Sequence, residues 1–102
     1  MKKAKQKRVT SGNVFEDLGF SAEESRVLTL KAQLAALLVR VARERKLTQK
    51  ELGKIWGVPQ PRVSEVLTGK LALISIERLI EFLGILGVEI VFRPKLSSKR
   101  AG

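Results

Sequence analysis

The fold is decided by the stretch TQKELGKIWGVPQPRVSEVL, residues 48–67. Its apolar positions have the spacing of two short helices, one on each side of Gly57. These positions are Leu52, Trp56, Val58, Val63 and Val66. Two helices that cross steeply over a short turn need a small residue at the crossing, here Gly53, and a turn glycine that can adopt positive φ, here Gly57. The stretch therefore predicts a packed helix pair that leaves one face of its second helix outward.

The ends of both helices are marked in the sequence. Thr48 and Glu51 form a capping box, which predicts a first helix that starts there and ends at Gly57. The second helix is predicted over Gln60–Leu67, with Pro61 in its first turn, where a missing N–H costs little. The run TGK, residues 68–70, ends it.

Upstream, Ser21 and Glu24 form another capping box. From there a helical pattern runs to about Lys46, and the sequence leaves open whether this is one helix or two joined near Thr29. Apolar residues recur at three-and-four spacing along it, which predicts an amphipathic stripe. The stripe consists of Leu30, Leu34, Leu37, Leu38, Val41 and Ala42.

Downstream, Ser75 is predicted to cap a helix that runs to about Leu86 and is ended by Gly87. Its predicted inward side chains are Ile76, Leu79, Ile80, Leu83 and Leu86. Residues 88–93 alternate and are rich in Val, Ile and Phe, which predicts a β-strand. A lone strand leaves its ladder unpaired, so it either pairs with the same strand of a second chain, through Val88, Ile90 and Phe92, or is a disordered end.

Together these elements predict a mainly α-helical fold: a five-helix-type domain with one C-terminal β-strand that pairs across a dimer. The predicted domain covers residues 13–93. The flanking segments, residues 1–12 and 94–102, are basic and carry little to bury, so both are expected to be flexible tails.

The composition narrows the function. The net charge of +10 indicates an anionic partner, which can be nucleic acid, an acidic protein or an anionic membrane surface. The chain has no cysteine and no histidine, so disulfides, the usual zinc sites and the commonest general base are missing. We therefore expect no enzymatic activity, no cofactor and no metal. No signal peptide or membrane-spanning run is expected, which favours a cytoplasmic protein.

The string TQKELG…GVPQPRVSEVLTGK resembles the helix-turn-helix of the phage repressor and Cro group, the XRE family. The wider arrangement, residues 13–94, is similar to HigA-type antitoxins and their relatives. Two positions depart from the family pattern. Gly53 stands where alanine is usual, and Pro61 stands where the family often carries a polar side chain that can contact DNA.

The resemblance implies DNA contacts. In the second, recognition helix the implied base-reading residues are Gln60, Arg62, Ser64 and Glu65. Glutamine pairs with adenine, arginine with guanine, and glutamate accepts from cytosine, although Glu65 can instead pair with Arg62. The implied phosphate contacts are Gln49, Lys50, Thr68 and Lys70. Three further basic residues can extend this surface: Arg43, Arg45 and Lys46. Residues 2–8 are either a minor-groove arm or a solvated tail, and Trp56 is expected in the core rather than as a stacking platform for single strands.

The function that follows is a dimeric repressor that binds a palindromic operator in double-stranded DNA on the bacterial nucleoid. The resemblance adds the role of an antitoxin that neutralises a basic toxin and represses its own operon. A segment that combines acidic and apolar residues suits such a partner, although acidic residues are also common at helix N-termini, where they stabilise the helix dipole. Its members are Phe15, Glu16, Asp17, Leu18, Glu23 and Glu24. The alternative is a stand-alone phage or prophage-type repressor with no toxin partner.

Overall fold

A computed structural model describes residues 14–96 of the chain. These residues form five α-helices and a 3₁₀ turn: α1 (Val14–Asp17), α2 (Ala22–Glu44), α3 (Gln49–Trp56), α4 (Gln60–Leu67), the 3₁₀ turn (Leu71–Leu73) and α5 (Ile76–Ile85). The prediction of a mainly helical fold is confirmed. The predicted tail over residues 1–12 and the end of the tail over residues 94–102 lie outside the described residues.

The helix starts follow the predicted caps. Ser21 Oγ accepts from the backbone N–H of Glu24 at 3.1 Å, and Glu24 Oε1 accepts from the backbone N–H of Ser21 at 2.9 Å. Thr48 and Glu51 form the same reciprocal pair at 3.0 and 2.8 Å. Ser75 Oγ caps α5 through the backbone N–H of Arg78. Each cap satisfies amides that the first turn of a helix leaves without a partner.

The long helical pattern is a single helix. α2 runs unbroken through Thr29 and ends at Glu44, followed by Arg45 as its C-cap. Its side chains also tie later segments to it: Lys31 Nζ donates to the carbonyl of Leu71 at 3.0 Å, and Arg45 Nη1 donates to the carbonyl of Leu86 at 2.6 Å. α2 therefore packs with α1, α4, the 3₁₀ turn and α5, whereas α3 packs on α4 and α5.

The core lies between the C-terminal half of α2 and the helices α3, α4 and α5. Its buried hydrophobic side chains form one cluster: Leu34, Leu38, Val41, Ala42, Leu52, Trp56, Val63, Val66, Ile74, Leu79, Phe82, Leu83 and Leu86. The prediction that Trp56 packs in the core is confirmed. The first turns of α2 stand outside this cluster, and of the helices in residues 14–96 α1 packs only on α2.

The predicted strand over residues 88–93 is not confirmed, because no strand forms within residues 14–96. A strand is defined by ladder hydrogen bonds, and a single chain supplies no neighbour to this segment. Val88 and Ile90 pack against the core, whereas Val91 and Phe92 are 80% and 72% exposed. The alternation seen in the sequence therefore ends at Ile90.

Candidate nucleic-acid interface

The pair α3 and α4 crosses at Gly53. A Cβ placed on Gly53 would lie 3.0 Å from the carbonyl oxygen of Val58, closer than side chains normally approach backbone. The carbonyl of Gly53 also accepts the N–H of Val58 at 3.0 Å, which closes the turn. Gly57 ends α3 in the left-handed conformation, with φ of +71°, which glycine adopts without steric cost. The structure therefore confirms both predictions: Gly53 is the small residue at the helix crossing, and Gly57 is the turn glycine with positive φ.

α4 has one buried side and one open side. Val63 and Val66 are fully buried and fix the helix on the core. On the open side Gln60, Pro61 and Thr68 are exposed. The other polar side chains of this side, Arg62, Ser64 and Glu65, are half-buried. Because the apolar side holds the helix rigidly, the polar side is presented in one orientation.

Four residues of the helix pair line one shallow depression: Gln49, Gln60, Pro61 and Ser64. The structure thus brings Gln49, predicted to contact phosphate, next to two of the residues predicted to read bases. Pro61 stands where the family often carries a polar side chain that can contact DNA. Its exposed ring now adds an apolar surface of the kind that contacts a thymine methyl group.

The other two predicted base-reading residues meet each other. Arg62 Nη1 donates to Glu65 Oε1 at 3.1 Å, one turn apart on α4. The sequence left open whether Glu65 faces a base or pairs with Arg62, and in the free protein it pairs. α4 thus carries a charge-compensated pair in addition to Gln60 and Ser64, the neutral polar residues that line the depression.

The residues predicted to contact phosphates lie at the start of α3 and after the end of α4. Gln49 and Lys50 occupy the first turn of α3, and their backbone N–H groups, unlike those of Thr48 and Glu51, are not used by the capping box and can bind an anion. Lys70 is exposed in the loop after α4. Thr68 Oγ1 donates its proton to the carbonyl of Ser64 at 2.7 Å, so donation to a phosphate requires this bond to break.

The acidic segment predicted to meet a toxin lies far along the chain from this helix pair. Phe15 is half-buried and packs edge to face on Phe20, with 6.3 Å between ring centroids. The remaining predicted residues are exposed: Glu16, Asp17, Leu18, Glu23 and Glu24. The carboxylate of Glu24 is engaged in the Ser21 capping box, which accounts for its presence without a partner.

Two further kinds of feature are absent from residues 14–96. No cluster of acidic residues there is arranged to hold a metal ion. No helix in the same range is both long and apolar enough to cross a membrane.

The fold and the open side of α4 define a helix-turn-helix DNA-binding domain. A family model described as a helix-turn-helix domain matches residues 14–93, most of the chain, and the chain belongs to this family. Among curated proteins none matches the chain. α4 is the second, or recognition, helix of this motif.

Proposed function

We propose that this protein is a sequence-specific transcriptional regulator that reads double-stranded DNA with its recognition helix in the major groove. One observation supports this most strongly: the depression formed by Gln49, Gln60, Pro61 and Ser64 sits on a helix whose other side is locked into the core. A rigid helix with short polar side chains on its open side fits the width of the major groove. The net charge of +10 favours the phosphate backbone.

The residues divide into two roles. Gln60 reads adenine, Arg62 reads guanine, and Ser64 contacts a base edge or a phosphate. Gln49 and Lys50 bind phosphate at the start of α3. Thr68 and Lys70 bind it at the end of the recognition helix.

Selection of duplexes from a random-sequence library, using the full-length chain, tests the proposal. We expect enrichment of one short motif and tighter binding to it than to a scrambled duplex. Gln60→Ala should abolish the preference at one base pair. Gln33→Ala, at an exposed glutamine on α2, is the matched control and should leave the preference at every base pair unchanged. A chain that enriches no motif, or binds all duplexes equally, would contradict sequence-specific reading.

The regulator acts as a homodimer in this proposal. A single recognition helix contacts only a few base pairs, so two copies on a palindrome supply the specificity that one lacks. The C-terminal segment offers the joining surface, since Val91 and Phe92 are exposed directly after Val88 and Ile90 pack on the core. Pairing of residues 88–93 with the same segment of a second copy would complete both ladders and cover these side chains.

Sedimentation equilibrium tests the dimer. We expect a dimer at micromolar concentration, and a monomer for Phe92→Asp with the helical content unchanged. Ile85→Asp, which places the same charge at another exposed hydrophobic residue, is the control. A monodisperse wild-type monomer at this concentration would refute the dimer. A palindromic footprint with half-sites about one helical turn apart would support it.

A second candidate function is that of an antitoxin of the HigA type within the XRE family, which represses its own operon in the bacterial cytoplasm. The observation that favours it is a set of exposed apolar side chains at α1 and the start of α2: Val14, Leu18, Phe20 and Val27, of which Phe20 and Val27 line one depression with Glu23. Glu16, Asp17 and Glu23 are exposed in the same two helices and form no salt bridge with any other residue of the described range. An acidic, apolar surface on a strongly basic chain suits a basic protein such as an RNA-cleaving toxin.

Co-expression with the product of the adjacent open reading frame tests this role. If that product stops growth, the wild-type chain should restore growth, and a chain lacking residues 13–24 should not, while both bind the operator. Neutralisation that survives the deletion would refute a role for this surface. If no neighbouring product is toxic, the alternative of a stand-alone phage or prophage-type repressor stands.

A further inference from the structure

The recognition helix carries the most covered ion pair of residues 14–96. The side chains of Arg62 and Glu65 are 36% and 33% exposed, and the other ion pairs in this range are more exposed. About a third of each side chain is exposed, and the ion pair holds these two long side chains in one geometry. The Arg62 guanidinium is therefore placed before any DNA arrives.

The placement is not favoured by the helix itself. Arg62 lies in the first turn of the recognition helix, which contains no acidic residue. The first turn is the positive end of the helix dipole, where a cation is unfavourable. Glu65, one turn further along, supplies the countercharge that keeps Arg62 against the helix surface.

We propose that Glu65 is a positioning residue that sets Arg62 to read a guanine, and that it raises sequence discrimination without contacting a base itself. This inference rests on the DNA-reading function proposed above. The hydrogen bond to Glu65 uses one N–H of the guanidinium fork, and the remaining N–H groups can still reach O6 and N7 of guanine. A guanidinium that is already ordered loses less rotamer freedom when it binds.

The Glu65 carboxylate also acts against wrong sequences. On a duplex that offers no guanine to Arg62, the carboxylate still approaches a surface of phosphates and base acceptors, and its charge is repelled. On the correct duplex, the guanine contact offsets this repulsion. Glu65 thus weakens binding to all DNA and weakens it most where Arg62 finds no partner.

The experiment uses the full-length chain and the duplex enriched from the random library, with its single-base variants and a scrambled duplex. Dissociation constants are compared for the wild type, Glu65→Gln, Arg62→Ala and the double variant. Glu81→Gln is the matched control, because Glu81 pairs with Arg78 at the same spacing on α5. Both glutamine variants change the net charge equally, and circular dichroism verifies that each chain is folded.

We expect Glu65→Gln to reduce discrimination about tenfold at one base pair, the same pair that Arg62→Ala affects, and to tighten binding to the scrambled duplex. The double variant should discriminate no worse than Arg62→Ala alone. Glu81→Gln should leave the ratio of scrambled to enriched dissociation constants unchanged.

Three results would overturn the proposal. If Glu65→Gln leaves that ratio unchanged, as Glu81→Gln does, Glu65 is only a surface charge. If it removes discrimination at a different base pair, or still removes it in the Arg62→Ala background, Glu65 reads a base itself. If the wild type distinguishes no duplex from another, the DNA-reading function fails and this inference fails with it.

Discussion

The indole of Trp56 stacks on the ring of Phe82, with 4.3 Å between ring centroids and 17° between the planes. The same indole donates Nε1–H to the backbone carbonyl of Phe82 at 3.2 Å. Both residues are buried, and the guanidinium of Arg78 covers the phenyl ring at 4.8 Å from its centroid. This stack joins α3, the first helix of the helix-turn-helix, to α5, so the orientation of the DNA-reading unit depends on it.

Substitutions of Trp56 should separate the ring contact from the hydrogen bond. Trp56→Phe keeps an aromatic ring but loses the donor, and should lower the free energy of unfolding by about 1–2 kcal/mol. Trp56→Ala also empties the site and should cost about 3–5 kcal/mol, a large part of the stability of a domain of this size. Urea unfolding followed by circular dichroism measures both.

Ile55→Ala is the control for the Trp56 variants. Ile55 is the neighbour of Trp56 on α3 but is exposed, so this substitution should cost under about 1 kcal/mol. A Trp56→Ala chain as stable as this control would show that the stack does not hold α3 to α5.

Phe82 also shows where sequence reasoning reaches its limit. The caps at Ser21, Thr48 and Ser75 are local signals, and each was predicted correctly. The inward set predicted for α5 included Ile80 and omitted Phe82, because this helix is apolar on several sides. The structure buries Phe82 completely and Ile80 only in part, because Trp56 of another helix supplies the partner.

Contacts with other residues or with another strand decide the remaining features that the sequence left open. The spacing of Arg62 and Glu65 allowed either an ion pair or two base contacts, and only the packed helix shows the pair. The 3₁₀ turn at Leu71–Leu73 was not foreseen, since three residues are too few to show a period. Residues 88–93 have the composition of a strand, yet a strand needs a neighbour that one chain does not provide.

Two helical glycines should respond differently to alanine. In α5, a Cβ on Gly84 would meet nothing within 4 Å, so Gly84→Ala should raise the free energy of unfolding by about 0.5–1 kcal/mol through helix propensity alone. In α3, a Cβ on Gly53 would lie 3.0 Å from the carbonyl oxygen of Val58, so part of the same gain is lost in moving the turn. Gly53→Ala should therefore stabilise the protein less than Gly84→Ala, by urea unfolding.

Gly53→Val extends this comparison, because a larger side chain cannot be accommodated at the crossing and should destabilise the chain by about 1–3 kcal/mol. Equal gains from alanine at Gly53 and Gly84 would mean that the helix crossing is looser than the distance to Val58 indicates.

The matched capping boxes predict different effects on stability. Thr48→Ala removes the cap of α3, whose first turns carry the fully buried Leu52, and should cost about 1 kcal/mol of global stability. Ser21→Ala removes the same cap from α2, whose first turns lie outside the core, and should mainly fray that end. For Ser21→Ala, amide hydrogen exchange should be faster at the start of α2, while the free energy of unfolding measured in urea should not fall to a matching extent. An equal loss of global stability in both variants would contradict this.

Lys70→Ala and Gln60→Ala should differ in how they change the salt dependence of DNA binding. Lys70→Ala should weaken binding to enriched and scrambled duplexes alike and reduce the slope of log K against log salt concentration by about 1, since one phosphate contact is lost. Gln60→Ala should cost about 1–3 kcal/mol on the enriched duplex only and leave the slope unchanged. Titrations at several salt concentrations measure both quantities. A change of base preference in Lys70→Ala, or a change of slope in Gln60→Ala, would reverse the roles assigned to these two residues.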